Sequence, residues 1–443
     1  MEIILDRING FIWGVPALVL ILGVGIFLTV RTGFVQIRLF PEMLRRFLGM
    51  FRGRDGSSFR SLCTALGATV GTGNLVGVAG AICLGGPGSI FWMWVCGFLG
   101  MATKYAEAVL AVRYRVEEKG EILGGPMYYI CGGMGERWRW LACIYSFFGV
   151  IAAFGVGNAT QINAMLSALQ AVTGGGENVP LGIGIALLMG LVLSGGAKRI
   201  GQAAEKLVPL AAGGYILLCL LVLLLRYGRI GAAFTVIVQG AFVPRAVTGG
   251  ILGSAFCALR VGCARGVFTN EAGMGTAGIA HASAEVKHPA EQGMMGILEV
   301  FLDTIVICTL TALVILCSGV EIPFGLDAGG TLTNAAFGEV CGDWVGIFLA
   351  GALACFAFAT VLGWGLYGLR CASFLLGQGT EKWFVFFQMG AAMLGAVLRT
   401  GVIWKLAEVI NGLMAIPNLI ALVILCPEVV KLTRSYCKPR EKR

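Results

Sequence analysis

Charged side chains are scarce in this chain of 443 residues. Only 13% of the residues are Asp, Glu, Lys or Arg, whereas 57% are hydrophobic and the mean hydropathy is +0.85. A soluble globular domain carries about 25% charged residues. A membrane protein needs fewer because lipid covers its surface, and the 68 glycines suit helices that pack closely in a bilayer. The composition therefore excludes a soluble domain and predicts an all-α polytopic membrane protein.

Metal-binding patterns are also missing. The chain has only two histidines, His281 and His288, and no C-x-x-C pair among its 15 cysteines. Most of these cysteines lie in apolar runs, where a thiol behaves as a small hydrophobe. We therefore expect no cofactor and no metal site other than one for a coupling ion. Because both histidines fall in one loop, a nucleophile–base pair is not expected either, and the pattern does not predict an enzyme.

Eleven apolar segments in the chain are candidates for membrane spans, each of which needs about 20 mainly apolar residues. The first lacks a basic n-region and a small-residue cleavage site, so we expect a retained helix and not a signal peptide. The segments lie near residues 11–31, 61–84, 88–112, 138–171, 180–195, 205–226, 247–280, 293–319, 344–370, 383–399 and 403–426.

Lysine and arginine fall mainly on one side of the membrane if the amino terminus lies outside. The inner segments, 104–139 among them, then hold 25 of these residues and the outer segments six, with Arg260 and Arg265 inside a span. Cytoplasmic loops are enriched in Lys and Arg. We therefore expect a multi-pass protein of the cell (inner) membrane with a basic cytoplasmic tail, 427–443. The net charge of +9 then reflects topology and predicts no nucleic-acid partner.

Residues 1–60 are expected to form an extra amino-terminal helix followed by a basic interfacial segment. That segment, FVQIRLFPEMLRRFLGMFRGR (34–54), mixes Phe, Leu and Met with arginines at helical spacing. Such a pattern favours a helix that lies along the inner membrane face. Simple anchoring is the preferred interpretation, and a regulatory lipid sensor is the alternative.

One candidate span contains the glycine-rich stretch GATVGTGNLVGVAG (67–80). Glycine costs a helix about 1 kcal/mol relative to alanine, and unwound backbone survives in a membrane only when it is buried in protein or lines a wet cavity. A break at 70–74 would offer free N–H groups to a carboxylate and free carbonyls to a cation. The alternative is ordinary helix packing, because the glycines also follow small-xxx-small spacing.

A second interrupted span, RGVFTNEAGMGTAG (265–278), again places Thr-Asn beside glycines. It adds Glu271, which we expect to form a structural or gating pair with Arg265, because charged residues inside membranes are usually paired. Each interrupted helix opens a block of five spans, 61–226 and 247–426. Since five is odd, the second block enters from the opposite side, which predicts an inverted repeat with a central binding site.

Eight sequence blocks between about residues 10 and 435 carry a family resemblance. They are GTGNLVGVAGAICLGGPGSIFWMW (71–94), GGPMYYI (124–130), FGVIAAFGVGNATQIN (148–163), AKRIGQAAEKLVP (197–209), ARGVFTNEAGMGTAGIAHASA (264–284), VFLDTIVICTLTALVI (300–315), LGWGLYG (362–368) and NGLMAIPNLIALVILCP (411–427). Together they resemble the alanine or glycine:cation symporter family. The resemblance implies a leucine-transporter-like fold with a 5+5 inverted repeat and two broken helices, which works by alternating access.

The resemblance also implies a set of substrate contacts. Backbone N–H groups at 72–74 would meet the substrate carboxylate, and carbonyls at 268–270 would meet its ammonium group. Gln161 would hydrogen-bond the substrate or a neighbouring backbone group. The full expected set is Thr72, Gly73, Asn74, Phe154, Gln161, Phe268, Thr269, Asn270 and Trp364.

Aromatic side chains would wall this pocket. The resemblance assigns that role to Phe154, Phe268 and Trp364, which would leave room for alanine or glycine and reject longer side chains by about 1–3 kcal/mol per methylene. The motif GWGLYG carries Gly365 and Leu366 where relatives often have a larger or polar residue and a tyrosine. The choice between alanine and glycine therefore stays open.

Sodium is the expected coupling ion. Hydroxyl and carbonyl oxygens suit a hard cation, and the resemblance assigns them to Val70, Gly71 and Thr360, although a lone Thr often only bonds its own i−4 carbonyl. No acidic residue adjoins 70–74 in the sequence, which favours sodium over protons. Glu299 and Asp303 share a helix face but receive no role.

The expected function is sodium-coupled symport that imports a small neutral amino acid, alanine and/or glycine. A proton-coupled transporter of the same fold and a solute channel are the alternatives. The expected partners are the amino acid, Na⁺ and the lipid bilayer, and a monomer is plausible.

Overall fold

The structure, a computed structural model, describes residues 14–50, 56–118, 120–175, 178–243, 255–326, 328–397 and 401–437. Parts of three predicted spans, at 11–13, 247–254 and 398–399, lie outside these ranges. The described chain is helical apart from turns, connecting loops and one hairpin, which was not predicted. In this hairpin, Val116–Glu118 (β1) pairs antiparallel with Glu121–Leu123 (β2).

The amino-terminal part contains one apolar helix and two short helices. The apolar helix begins with a proline in its first turn, where the missing N–H has no partner to lose. In the third helix Met43 and Met50 are buried while Arg45 is exposed, so this helix has the two-sided character expected of the segment 34–54. The helices are α1 (Val15–Arg31), α2 (Val35–Arg38) and α3 (Phe40–Met50).

The first predicted block of spans, 61–226, corresponds to a run of helices separated by short connections. One further helix, α11, follows this block and was not predicted. The helices are α4 (Gly56–Thr69), α5 (Gly73–Gly85), α6 (Gly88–Arg113), α7 (Pro126–Tyr129), α8 (Glu136–Thr173), α9 (Asn178–Leu193), α10 (Gly196–Leu225) and α11 (Ile230–Phe242).

The second block, 247–426, is built in a similar way. It includes one helix that was not predicted, α15, and its last helix runs through two prolines to Cys437, so that residues 427–437 of the expected tail are helical. The helices are α12 (Ala255–Asn270), α13 (Thr276–His281), α14 (Pro289–Ser318), α15 (Gly329–Cys341), α16 (Trp344–Leu376), α17 (Glu381–Val397) and α18 (Gly401–Cys437).

Several of these helices can cross a membrane by length and composition. Among the described residues, α6, α8, α10, α14, α16 and the part of α18 from Val409 qualify singly, and the bent pair α4–α5 makes a seventh span. These apolar helices fit a multi-pass membrane protein. The count of eleven crossings and the inverted repeat stay predictions.

Both predicted helix interruptions are present. The axes of α4 and α5 differ by 50° across the break after Thr69. The second break, 271–275, separates α12 from α13 and holds Gly273 and Gly275 at positive φ, together with the non-glycine Glu271 at φ 53°. Positive φ is costly for a residue with a side chain and marks functional sites. The backbone is therefore irregular at the two positions where glycines predicted it.

Glycines let the helices around α6 approach closely. A Cβ atom at Gly262 of α12 would lie 2.2 Å from the carbonyl oxygen of Ser89 in α6, and one at Gly296 of α14 would lie 2.8 Å from that of Lys104. Any larger residue would force these helices apart. Small residues at such crossings are the usual way for membrane helices to pack, and here they bring α12 and α14 against one central helix.

Candidate functional site

A small cavity of about 20 Å³ lies between the two breaks and helices α8, α16 and α18. It has room for a water molecule but none for an amino acid, so its walls must separate before a substrate can enter. The lining residues are Ala68, Thr69, Gly71, Thr72, Gly73, Val156, Gln161, Phe268, Glu271, Thr360, Trp364 and Asn411.

Most of the residues predicted for the site meet at or beside this cavity. Four further predicted residues at or next to the two breaks do not line the cavity but are buried beside residues that do: Val70, Asn74, Thr269 and Asn270. The breaks also touch, because a Cβ atom at Gly73 would lie 3.2 Å from the Thr269 hydroxyl. The predicted residues that line the cavity directly are Gly71, Thr72, Gly73, Gln161, Phe268, Glu271, Thr360 and Trp364.

Phe154 was expected in the pocket wall but does not line this cavity. Its ring packs against Phe384 of α17, with the ring centroids 5.2 Å apart. A π-helical turn, Gly155–Ala159, begins directly after it and changes which side chains of α8 face inward. In this turn Val156 lines the cavity, and Gly157 meets Trp364.

Gln161 connects the first break to this π-helical turn. Its amide donates a hydrogen bond to the Val156 carbonyl at 3.2 Å, and its Oε1 accepts one from the Thr72 hydroxyl at 3.4 Å. Hydrogen bonds to neighbouring groups were one of the two roles expected for Gln161. The side chain also lines the cavity and can exchange these bonds for bonds to a ligand.

Trp364 is held by Glu271. The indole Nε1 donates to one carboxylate oxygen at 2.9 Å, and the Thr276 hydroxyl donates to the other at 2.6 Å. The two described donors to this carboxylate are neutral groups of α16 and α13, and the expected pair of Glu271 with Arg265 stays a prediction. Glu271 therefore fixes the orientation of an aromatic wall.

Thr360 contacts the first break across the helix interface. Its hydroxyl lies 2.9 Å from the carbonyl oxygen of Gly67 and 3.0 Å from that of Phe356, four residues earlier in α16. A Cβ atom at Gly71 would lie 2.9 Å from the same hydroxyl. Thr360 therefore makes the i−4 bond of the alternative interpretation and also contacts the carbonyl of Gly67, a residue that the sequence analysis did not select. Its role as a Na⁺ ligand stays a prediction.

Asn411 of α18 is a cavity residue that the sequence analysis did not select. It is buried, and its Oδ1 has no hydrogen-bond partner among the described residues. This oxygen lines the cavity and is therefore available to a donor inside it, either a water molecule or a ligand. The available signal was a polar residue at the start of the block NGLMAIPN, one of the blocks that carry the family resemblance, in an otherwise apolar segment.

Helix α6 places two charged residues beside the second break. Lys104 and Glu107 are fully buried, so Lys104 does not belong to an inner loop, where the charge count had put it. Glu107 accepts bonds from the backbone N–H groups of Gly273 and Gly275, at 2.9 and 3.1 Å, and from the Asn418 amide at 2.8 Å. It therefore satisfies donors that the interrupted helix leaves without partners.

Lys104 belongs to a second cluster of buried polar side chains. Its ammonium group lies 2.9 Å from one oxygen of Glu299, and His281 lies 3.0 Å from the other. The side-chain amide of Gln292 contacts the second ring nitrogen of His281 at 2.7 Å. This group ties α6, α13 and α14 together, and it gives Glu299, which had no expected role, a structural one.

An acidic residue does lie beside the first break, contrary to the expectation from the sequence. The Asn74 amide donates to Asp303 Oδ1 of α14 at 2.7 Å, across 229 residues of chain. Sequence neighbours alone could not reveal this contact. The argument against proton coupling from the absence of an acid near 70–74 is therefore wrong.

Comparison with known proteins now identifies the family. The profile of the sodium:alanine symporter family matches residues 1–443. The chain belongs to this family. It is 42% identical over 448 residues to the sodium/alanine symporter AgcS of Methanococcus maripaludis, covering 99% of this chain and 98% of that protein. It is 33% identical to the putative sodium/proton-dependent alanine carrier YrbD of Bacillus subtilis, covering 98% and 92%.

The fold has a counterpart among solved structures. The crystal structure of MhsT in complex with L-phenylalanine superposes with a TM-score of 0.55 and 13% sequence identity, covering 85% of this chain and 97% of that one. This likeness supports the leucine-transporter-like fold class. As a member of the sodium:alanine symporter family, the protein is a cation-coupled amino-acid transporter and not an enzyme.

Proposed function

We propose that this protein is a Na⁺-coupled symporter that imports alanine and/or glycine by alternating access. One observation carries the proposal: both helix breaks converge on one cavity that Gln161 and Trp364 also line. Broken helices that face each other deep in a membrane protein are suited to bind a zwitterion and a cation without placing net charge in lipid. The similarity to AgcS, named a sodium/alanine symporter, supports the same ligands.

The substrate carboxylate binds the backbone N–H groups of Thr72, Gly73 and Asn74 in this proposal, and its ammonium group binds carbonyls of 268–270. Partial positive charge at the start of α5 favours the carboxylate there. The unpaired Oδ1 of Asn411 provides a further acceptor for the ammonium group. Each charged end of the amino acid thus finds groups of opposite polarity.

In this proposal, Trp364 and Phe268 select the substrate by the size of its side chain. Trp364 is anchored by Glu271 at 2.9 Å and pressed against Gly157, so it cannot easily retreat. The cavity of about 20 Å³ must expand for any substrate, and a small side chain requires the least expansion. Each additional methylene is disfavoured by about 1–3 kcal/mol in such a pocket, which favours alanine and glycine over leucine.

The coupling Na⁺ binds among oxygens at the end of α4. The proposed ligands are carbonyls at Val70 and Gly71 and the Thr360 hydroxyl, and the Gly67 carbonyl adds a fourth oxygen at 2.9 Å from that hydroxyl. An all-oxygen set suits a hard cation. Because the ion and the substrate share the first break, each strengthens the binding of the other.

Alternating access follows from two five-helix halves, 61–226 and 247–426, that rock around the fixed site. In support, the cavity is lined by the interrupted helix of each half and by α8 and α16, the third span of each half. Residues 1–60 remain outside the repeat. We place the amino terminus outside the cell (inner) membrane and the carboxyl terminus in the cytoplasm, and a monomer suffices because one chain supplies every proposed ligand.

Uptake of labelled alanine into proteoliposomes tests the proposal. We expect saturable uptake driven by an inward Na⁺ gradient, inhibited by glycine and serine more strongly than by leucine. Uptake driven only by a proton gradient would show that H⁺, and not Na⁺, is the coupling ion. The buried Asp303 and the similarity to YrbD, named a putative sodium/proton-dependent alanine carrier, favour this alternative. Flux that fails to saturate with alanine, or that ignores both gradients, would contradict symport and favour a channel.

A further inference from the structure

A pocket of about 570 Å³ lies where the last turn of α1 meets α18. It shares no lining residue with the cavity between the two breaks. Arg31, the last residue of α1, interacts with the thiol of Cys426 in α18, so the two helices are in contact here. The volume is within the range of sites that bind small molecules, about 300–1,000 Å³. The lining residues are Arg31, Pro427, Val430, Lys431, Arg434 and Ser435.

The pocket lies at the level where both helices change from apolar to charged. Helix α1 has no charged residue before Arg31, and α18 has none over 409–427, directly before Glu428. The two-sided helix α3 meets this end of α18 as well, because Arg46 donates to the Tyr436 hydroxyl at 3.1 Å. A change of this kind marks the border between hydrocarbon and headgroups in a bilayer. The pocket is therefore at the depth of lipid headgroups.

The pocket carries positive charge that the described part of the chain does not neutralise. None of the ion pairs found there includes Arg31 or Arg434. Lys431 lies 3.9 Å from one oxygen of Glu428, whose other oxygen lies 3.4 Å from Arg113. The preference of inner loops for Lys and Arg accounts for basic residues on this face, but not for three of them around one pocket. An anion between them would relieve their mutual repulsion.

Exposed apolar side chains continue from the pocket along both helices. Ile424 is exposed and precedes Lys431 by seven residues, which places both on the same face of α18. In α1, Phe27 and Val30 are exposed next to Arg31, whose guanidinium carbon lies 5.8 Å from the centre of the Phe27 ring. A ligand at the basic residues therefore has apolar helix surface beside it, which suits a lipid better than a free anion.

We propose that this pocket binds the headgroup of an anionic phospholipid. The phosphate contacts Arg31, Lys431 and Arg434, and the acyl chains lie along the exposed apolar faces of α1 and α18. Guanidinium groups bind phosphate through charge-assisted hydrogen bonds, often in pairs. Basic pockets between membrane helices are known to bind phosphorylated lipid headgroups. The lipid thus connects α1, which lies outside the predicted repeat, to the last helix of the second half.

The test is the rise in melting temperature that phosphatidylglycerol causes, relative to phosphatidylcholine with the same acyl chains. It uses the purified, delipidated full-length protein in a neutral detergent, because a ligand that binds only the folded state stabilises it. Arg434→Gln removes one charge from an exposed side chain that makes no hydrogen bond or ion pair with the described residues. Arg45→Gln removes the same charge from exposed α3, outside the pocket lining, and is the matched control.

We expect the phosphatidylglycerol concentration for half of the stabilisation to rise at least fivefold in Arg434→Gln, because one charge-assisted hydrogen bond to the phosphate is lost. Arg31→Gln should show a similar rise, and Arg45→Gln should stay within twofold of the wild type. A wild-type response in either pocket variant would overturn the proposal. An equal loss in all three variants would show a nonspecific attraction to basic surface and would also overturn it.

Inorganic phosphate and glycerol 3-phosphate share the chemistry of the headgroup but have no acyl chains. We expect neither to stabilise the wild type at millimolar concentration, because the apolar faces of α1 and α18 contribute to lipid binding. Stabilisation by either anion that matches phosphatidylglycerol and is lost in Arg434→Gln would assign the pocket to a free phosphate and contradict the proposal. Equal stabilisation by phosphatidylcholine and phosphatidylglycerol would show that the basic residues do not recognise the lipid.

Discussion

Substitution of Gly157 by alanine tests the wall of the proposed pocket. Trp364 crosses α8 at this glycine, and a Cβ atom there would lie 2.2 Å from the Cβ atom of Trp364. Two carbon atoms in contact normally keep about 3.5–4.0 Å. The two helices must therefore separate, or Trp364 must tilt away from the carboxylate of Glu271, 2.9 Å from its Nε1.

The expected losses of stability and of alanine affinity follow from these two responses. Overpacking of this kind costs about 1–3 kcal/mol in stability. Loss of the indole hydrogen bond to a buried carboxylate costs about 1.5–3 kcal/mol, which corresponds to a loss of roughly 10- to 150-fold in affinity if the bound state needs Trp364 in place. We therefore expect Gly157→Ala to bind alanine at least tenfold more weakly than the wild type.

Isothermal titration of the purified protein with alanine in saturating Na⁺ measures this change. Gly213→Ala in α10 is the matched control, because nothing lies within 4 Å of the added methyl group. It should bind alanine normally, and its melting temperature should stay the same or rise. Folded Gly157→Ala protein with an alanine affinity within twofold of the wild type would refute the role of Trp364 as a pocket wall.

Three further predictions concern polar groups of the site. Thr360→Val removes a proposed Na⁺ ligand and should raise the Na⁺ concentration for half-maximal alanine uptake at least tenfold, whereas Thr360→Ser, which keeps the hydroxyl, should stay within threefold. Asn411→Leu should weaken alanine binding in calorimetry at least tenfold, and a normal affinity would show that its free Oδ1 does not contact substrate. Glu107→Ala leaves three donors of the second break and α18 without an acceptor, at about 1–3 kcal/mol each. A strong loss of thermal stability is therefore expected, and Glu107→Gln should recover much of it because an acceptor oxygen returns.

The helix breaks could be predicted because their cause is local. Glycines near Gly71 and Gly275 weaken a helix wherever it packs, and the Thr and Asn residues beside them carry polar groups that are out of place in lipid. The structure has both interruptions, and most of the residues predicted from the motifs line one cavity. The apolar runs likewise indicated helices, although their ends differ by several residues.

The buried charges could not be paired from the sequence. Asn74 meets Asp303 across 229 residues, and Lys104 meets Glu299 across 195, so the partners depend on how helices pack. Lys104 lies inside the predicted span 88–112, yet the charge count placed it in the inner segment 104–139. The position of Phe154 outside the cavity lining could not be predicted for a different reason. The π-helical turn that follows it is not indicated by composition.

The charge carried with each alanine molecule tests the central claim most directly. Alanine is a neutral zwitterion at pH 7, so any current that it evokes must be carried by a coupled ion. In proteoliposomes on a solid-supported membrane, we expect alanine to evoke an inward positive current that requires Na⁺ and is the same at pH 6.5 and 8.0 within about twofold. No current, or a current that follows the proton gradient and ignores Na⁺, would contradict the account.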